Sequence, residues 1–207
     1  MKKRIRILLA GGLLALASFG AAAAGPLEDG VAAYQRHDYA VAMRLLRPLA
    51  EQGNAVAQYN IGLIYDDGDG VPQDYAAARA WYLKACAQGF APSQNNLGSM
   101  YATGHGVARD PAQAVTWYLK AAEQGDATAQ YNLGVMYQHG QGVEQDYAQA
   151  HMWFSLAASS ATAGTETRDG AAKALDELAA KMTHAEIGEA QRMARERIPN
   201  VSPQPPP

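Results

Sequence analysis

The feature that most constrains this chain is a period. Residues 55–90 (AVAQYNIGLIYDDGDGVPQDYAAARAWYLKACAQGF), residues 91–126 (APSQNNLGSMYATGHGVARDPAQAVTWYLKAAEQGD) and the stretch ATAQYNLGVMYQHGQGVEQDYAQAHMWFSLAA from Ala127 are copies of one unit, joined without gap or insertion. Asp74, Asp110 and Asp146 recur every 36 residues, as do Trp81, Trp117 and Trp153. A period of this size describes a stacked array, in which each unit is too small to bury its apolar side alone and buries it on its neighbours. The 207 residues therefore fit one solenoid rather than two globular domains.

Each unit reads as helix, loop, helix. In the central copy Asn96, Leu97, Met100 and Tyr101 share one helical face. Gly98 interrupts that helix at the slot of Gly62 and Gly134. A mid-helix glycine costs up to about 1 kcal/mol relative to alanine, so its recurrence requires a neighbouring backbone or large ring to come close there. The loop Gly104-His105-Gly106-Val107, with counterparts at 68–71 and 140–143, has glycines where positive φ is needed, and its valine is placed to tuck into the helix pair. Asp74, Asp110 and Asp146 stand where a carboxylate caps the second helix, and Pro111 suits a first helical position. Ala114, Trp117, Tyr118 and Ala121 form the second helix's apolar face; a core role for Trp117 implies a loss of about 3–5 kcal/mol on truncation to alanine. Gly53, Gly89 and Gly125 end the second helices, and Asn54 or Asp126 caps the next first helix.

The array divides into 55–90, 91–126 and 127–162, flanked by two ends. Residues 25–54 read as a shortened opening repeat without the glycine loop: a helix from Leu27 to Gln35, a turn near His37, and a helix from Tyr39 to Gln52 carrying Pro48, which kinks it or lodges in it at about 3 kcal/mol. Residues 163–198 read as capping helices. A loosened connector from Ser159 to Gly170 precedes a helix Ala171–Lys181, and Thr183 with Glu186 makes a capping box before a helix whose stripe Ile187, Ala190, Met193, Ala194 covers the last repeat. Residues 199–207, PNVSPQPPP, read as a solvated, extended tail.

Residues 1–24 have a basic start (Lys2, Lys3, Arg4, Arg6), an apolar run from Ile7 to Phe19 and a small-residue site at Ala22-Ala23-Ala24. That order describes a secretory signal peptide cut near Ala24, with an uncleaved anchor as the alternative; the apolar run is shorter than the roughly 20 residues a spanning helix uses. The mature chain is then periplasmic or secreted, with no integral span. Loss of four positive charges takes the formal net charge from −3 to −7, which disfavours nucleic-acid binding. The single Cys86 occupies the slot of Ala122 and Ala158 and reads as a small apolar residue rather than half of a disulfide or a reactive thiol.

Catalytic signatures are missing: the sequence holds no Ser-x-x-Lys, Gly-x-Ser-x-Gly, phosphate-binding Gly-rich loop with Lys or His-Glu-x-x-His. Asp66, Asp67 and Asp69 resemble a fragment of a calcium loop but lack its later carboxylates. His105 and His139 lie in neighbouring loops without a second pair of ligands. No cofactor or metal is expected.

Leu-Gly-x-x-Tyr, Gly-x-Gly-Val, Asp, Ala-x-x-Trp and a closing alanine pair with glycine together resemble the Sel1-like repeat, a relative of the tetratricopeptide repeat with a longer interhelical loop. Its structural positions here are Gly62, Tyr65 and Trp81, then Gly98, Tyr101 and Trp117, then Gly134, Tyr137 and Trp153. The resemblance implies an all-α, right-handed α-solenoid with a C-terminal helical cap. It also implies a non-enzymatic adaptor that holds a protein or peptide partner, in an exported member within envelope signalling or regulation. The alternative is a cell-wall peptide or β-lactam hydrolase, or a muropeptide binder, of the cysteine-rich branch, which a single cysteine fits badly. Slots that vary between copies are free for a partner. On the first helices these are Tyr59, Asn95 and Tyr131; Leu63, Ser99 and Val135; and Asp66, Ala102 and Gln138, three rows of one helical face. If first helices line the concave side, as in tetratricopeptide relatives, these rows are its floor; alternatively the tyrosines pack adjacent repeats.

Overall fold

The computed structural model describes residues 25–197; the signal-like segment (1–24) and the proline-rich tail (199–207) lie outside the described residues. The architecture is all-α. Ten helices stand among the described residues: α1 (Pro26–Gln35), α2 (Tyr39–Glu51), α3 (Ala55–Asp67), α4 (Tyr75–Cys86), α5 (Ala91–Thr103), α6 (Pro111–Ala122), α7 (Ala127–His139), α8 (Tyr147–Ser159), α9 (Thr165–Ala179) and α10 (His184–Arg197). They form two compact units, one ending at Gln124 and one starting at Gly125.

The first unit is a stack of three hairpins, α1/α2, α3/α4 and α5/α6, with α2 packed on α3 and α4 on α5. Each hairpin closes where the first helix lacks a Cβ. A Cβ built on Gly62 would lie 2.5 Å from the Tyr82 ring, and one on Gly98 would lie 2.6 Å from Tyr118. Gly30 makes the same approach to Leu46. Four fewer residues separate this last pair than separate Gly62 from Tyr82, which accounts for the opening repeat's missing loop.

The core aromatic is therefore the residue after the tryptophan. Tyr82 is fully buried and Tyr118 nearly so, whereas Trp81 and Trp117 are half-buried beneath the ammonium groups of Lys84 (3.9 Å from the ring centroid) and Lys120 (4.3 Å). Trp117, expected in the core, thus packs against its edge and stays half-buried. The neighbouring phenol faces inward and the indole flanks it, shielded by the lysine stem and attracted by its charge.

Carboxylate caps start the second helices: Asp74, Asp110 and Asp146 each accept a hydrogen bond from the backbone N–H three residues on, at 2.9, 3.0 and 2.9 Å. Asn54 and Asp126 do the same for α3 and α7, and Asp38 for α2. The loop glycines Gly104 and Gly106 have φ of +81° and +69°, a region that other residues enter at a steric penalty. Gly106 also lies against Tyr75 at the start of the preceding hairpin's second helix, 2.5 Å from its Cβ to the built position, and Gly70 meets Tyr39 likewise. These two loops are thus contacts between repeats.

In the second unit α7 and α8 pair as the fourth hairpin, that of the third full repeat, with Gly134 2.6 Å from Phe154 at the same built position, and α9 and α10 both pack on α8. That surrounds α8: His151, Met152, Trp153 and Phe154 are consecutive and all buried, the signature of a helix without a solvent face. The cap departs from expectation at its entrance. Instead of a loose connector to Gly170, α8 ends at Ser159 and α9 starts at Thr165. The five residues between are closed by the Arg168 guanidinium, which donates to the carbonyls of Ser160 and Ala163 at 3.3 Å. Thr167 is buried, and Gly170 faces the Tyr131 ring, so its presence inside a helix is again explained by close approach. The capping box of α10 forms as read, the Thr183 N–H donating to Glu186 Oε2 at 2.7 Å and the Glu186 N–H to Thr183 Oγ1 at 3.3 Å. Ala190 and Ala194 are buried beneath it.

Three stability outcomes follow from this packing. Gly98→Ala is expected to lower stability by about 1–3 kcal/mol despite alanine's better helix propensity, because the added methyl displaces the Tyr118 ring; a denaturant midpoint at or above that of the parent would contradict the contact. Tyr118→Ala should lose about 3–5 kcal/mol and melt below Trp117→Ala, and the reverse order would restore the tryptophan to the core. Burial holds the His151 imidazole below its usual pKa, so the unfolded chain takes up a proton first as pH falls. Stability should be full above about pH 6.5 and decline with acidification through that value, measured as the pH dependence of Tm; His151→Gln should flatten the slope in that window.

Candidate functional site

The faces of the first helices carry the candidate rows, and the structure separates their members. In the first unit Tyr59 is 3% exposed, its ring 5.4 Å from Phe90 and 6.1 Å from Tyr82. Asn95 is 4% exposed. Tyr59 therefore packs one hairpin on the next and is no open shelf, which selects the packing reading for this tyrosine. Leu63, Asp66 and Ala102 are half-buried and Ser99 is exposed; these four keep surface.

Their surroundings are polar and ordered. Asp66 Oδ2 accepts from the Tyr82 hydroxyl at 3.3 Å, so the buried ring that fits beneath Gly62 ends in a hydrogen bond on this face. Burial pushes the Tyr82 phenol well above its usual pKa, with the Asp66 charge adding to the effect and a bond to Asn96 opposing it. Tyr118 is likewise raised by burial, opposed by a bond to Ser99. Both phenols stay protonated and serve as fixed hydrogen-bonding groups. The Thr103 hydroxyl donates to the Ser99 carbonyl at 2.8 Å, and Arg109 Nε to that of Ala102 at 3.0 Å.

In the second unit Tyr131 and Val135 are half-buried, both packed on the cluster around Phe154 and Leu178, with the Tyr131 and Phe154 rings 5.5 Å apart. Gln138 is 7% exposed, so its side chain offers little surface, and its carbonyl accepts from Gln145 at 2.7 Å. An open depression of about 490 Å³ lies beside Tyr137, Val143, Glu144, Gln145 and Asp146.

Of the structural positions, Tyr65, Tyr101 and Tyr137 offer their carbonyls to the backbone N–H of Asp74, Asp110 and Asp146 at 2.9, 2.9 and 3.0 Å, closing each loop. The Tyr65 hydroxyl also accepts from Arg47 at 2.6 Å. Sequence reading missed a second recurrent tie: Gln88 donates to Gln58 at 2.9 Å and Gln124 to Gln94 at 2.7 Å, pinning the end of a second helix to the start of its first. Both pairs repeat at the 36-residue period, which was the available signal. Gln73, Arg109 and Gln145 each donate to the carbonyl seven residues back, one role filled by two residue types and so invisible as a motif.

Chemistry is sparse. Burial pushes the Cys86 thiol up to about 12, leaving it protonated. The His105 ring stacks on Tyr75 at 5.1 Å and 10°. Among the described residues no group of three or more His, Cys, Asp or Glu could hold a metal ion, and no helix is long and apolar enough to cross a membrane.

Comparison with known proteins matches the Sel1 repeat model at residues 21–54, 55–90, 91–126 and 127–161. Among solved structures, the chain is similar to c5321, described as a protective antigen present in uropathogenic Escherichia coli strains displaying an SLR fold. The identity is 35% and the TM-score 0.64, over 83% of this chain and 38% of that one. It is also similar to a Sel1 repeat protein from Oxalobacter formigenes, at 32% identity and a TM-score of 0.67, over 84% of this chain and 69% of that one. No curated protein matches. The glycine beneath an aromatic ring, the carboxylate caps and the two-glycine loops are thus the physical content of a recognised repeat: the chain belongs to the Sel1 repeat family.

Proposed function

We propose that this chain is an exported scaffold that holds a protein or peptide partner against the first-helix face of its N-terminal unit, with a role in envelope signalling or regulation. Sel1 repeats build a non-catalytic scaffold fold, so the surface binds rather than reacts. The observation that carries the reading is the division of labour along α3 and α5. Gly62, Gly98, Ile61 and Leu97 are buried in the stack, while Leu63, Asp66, Ser99 and Ala102 vary between copies and keep surface. Fixed hydroxyls at Tyr82 and Tyr118 can orient the polar groups among them toward a peptide backbone. In the second unit Tyr131 and Val135 remain secondary candidates. Export is supported by the basic, apolar and small-residue zones of residues 1–24, and in this reading the repeats end in capping segments at 25–54 and 163–198.

The test is capture from a periplasmic extract by crosslinking, comparing the parent with Leu63→Glu/Ser99→Arg. Ser99 is exposed, whereas Leu63 is half-buried against the Tyr82–Leu97 cluster, so Ser99→Arg alone should weaken capture at a Tm within a few degrees of the parent's, and the double variant should lose the captured partner at some cost in Tm. Undiminished capture by the double variant would move the binding surface elsewhere.

A further inference from the structure

The three second helices of the full repeats differ at one face. In α4 and α6 the tryptophan is followed three residues later by its own lysine, Lys84 over Trp81 and Lys120 over Trp117, and the residue before it is the exposed Ala80 or Thr116. In α8 the tryptophan is kept, but the lysine slot holds Leu156 and the preceding slot Met152. These two changes convert a solvated face into an apolar one. Helix α10 lies on it: Met152 and Trp153 are each 1% exposed, and the missing cation is supplied from α10 by Arg197, whose guanidinium lies 4.5 Å from the Trp153 centroid.

The cover is made of short side chains: Ala190 and Ala194 are the residues of α10 that are buried, and Ile187 and Met193 beside them are half-buried. The exposed side of α10 is held by its own Glu189–Arg192–Glu196 ion pairs, which stabilise the helix without attaching it to α8. Beneath, the Trp153 indole N–H is a buried donor without a hydrogen-bond acceptor, an unfavourable feature of this closed arrangement.

We propose that the Met152–Trp153–Leu156 face of α8 is a helix-docking seat and that α10 is its displaceable occupant. The face takes, in trans, an amphipathic partner helix with the chemistry of α10: two alanines one turn apart, flanked by Ile- and Met-type side chains, and an arginine three residues beyond the second alanine that lands on Trp153. Such a helix gains by also bringing an acceptor for the indole N–H. This seat is separate from the first-helix face and does not depend on it.

The probe is a labelled peptide spanning Thr183–Arg197, titrated into the full chain and followed by fluorescence anisotropy. Occupied by its own α10, the parent should bind weakly, since the competent state is a minor fraction. Ala190→Glu, which places a carboxylate at the buried centre of α10, should bind the peptide about tenfold more tightly or better. Adding Leu156→Lys, which restores the lysine of the earlier repeats, should abolish the gain. Equal affinity of the parent and Ala190→Glu, or undiminished binding after Leu156→Lys, would overturn the seat. Native-state hydrogen exchange on the parent guards against a misfolded variant: α10 amides should open locally and exchange faster than those of α8, and equal protection would refute displacement.

Discussion

Everything in the stack depends on a Cβ that is missing. At Gly62, Gly98 and Gly134 a methyl group would overlap the ring of Tyr82, Tyr118 or Phe154, so these glycines set how closely the two helices of a hairpin approach. The helix loses propensity at each site, by up to about 1 kcal/mol, and the contact recovers it by burying a whole aromatic side chain. Close approach also carries the phenol hydroxyls of Tyr82 and Tyr118 through to the Asp66 and Ser99 side of the first helix. In the third copy phenylalanine fills the slot and that polar end is gone. One packing rule thus gives the two units different surfaces from nearly the same sequence.

Ends matter as much as faces in an array of short helices. Helices of 10–15 residues are marginal alone, and their unsatisfied backbone groups are met by recurrent devices: Asp or Asn at the start, a bond from the capping Asp N–H to the tyrosine carbonyl across the loop, and paired glutamines at the end. The loop glycines meet the preceding hairpin directly at Tyr39 and Tyr75. Specification of the fold is therefore redundant, and an exposed slot such as Ser99 can change without loss of the stack.

Much of this was legible in the residues. The 36-residue period, the capping aspartates, the capping box at Thr183 and the close approach of a backbone or ring required at Gly98 all follow from local backbone chemistry or from repetition, and they recur in the structure, with the Tyr118 ring at Gly98. Failures came where one slot could serve two purposes. Trp117 and Tyr118 are adjacent apolar residues on one helix face, and periodicity cannot say which turns inward; the answer depends on the glycine of another helix and on Lys120. Likewise Tyr59 varies between copies, as a binding residue would, yet is buried by Phe90 from the next hairpin.

The sequence by itself determined the repeat, its helix ends and its close contacts, because each rests on interactions within a few residues or on a pattern copied three times. Tertiary structure decided which varied positions keep surface, where α9 begins, and what becomes of the third tryptophan. Those outcomes hinge on single, unrepeated contacts between distant residues: Arg168 with the carbonyls of Ser160 and Ala163, Tyr131 against Gly170, and Arg197 over Trp153. A contact made once leaves no period to read, and only the packed chain brings its two halves together.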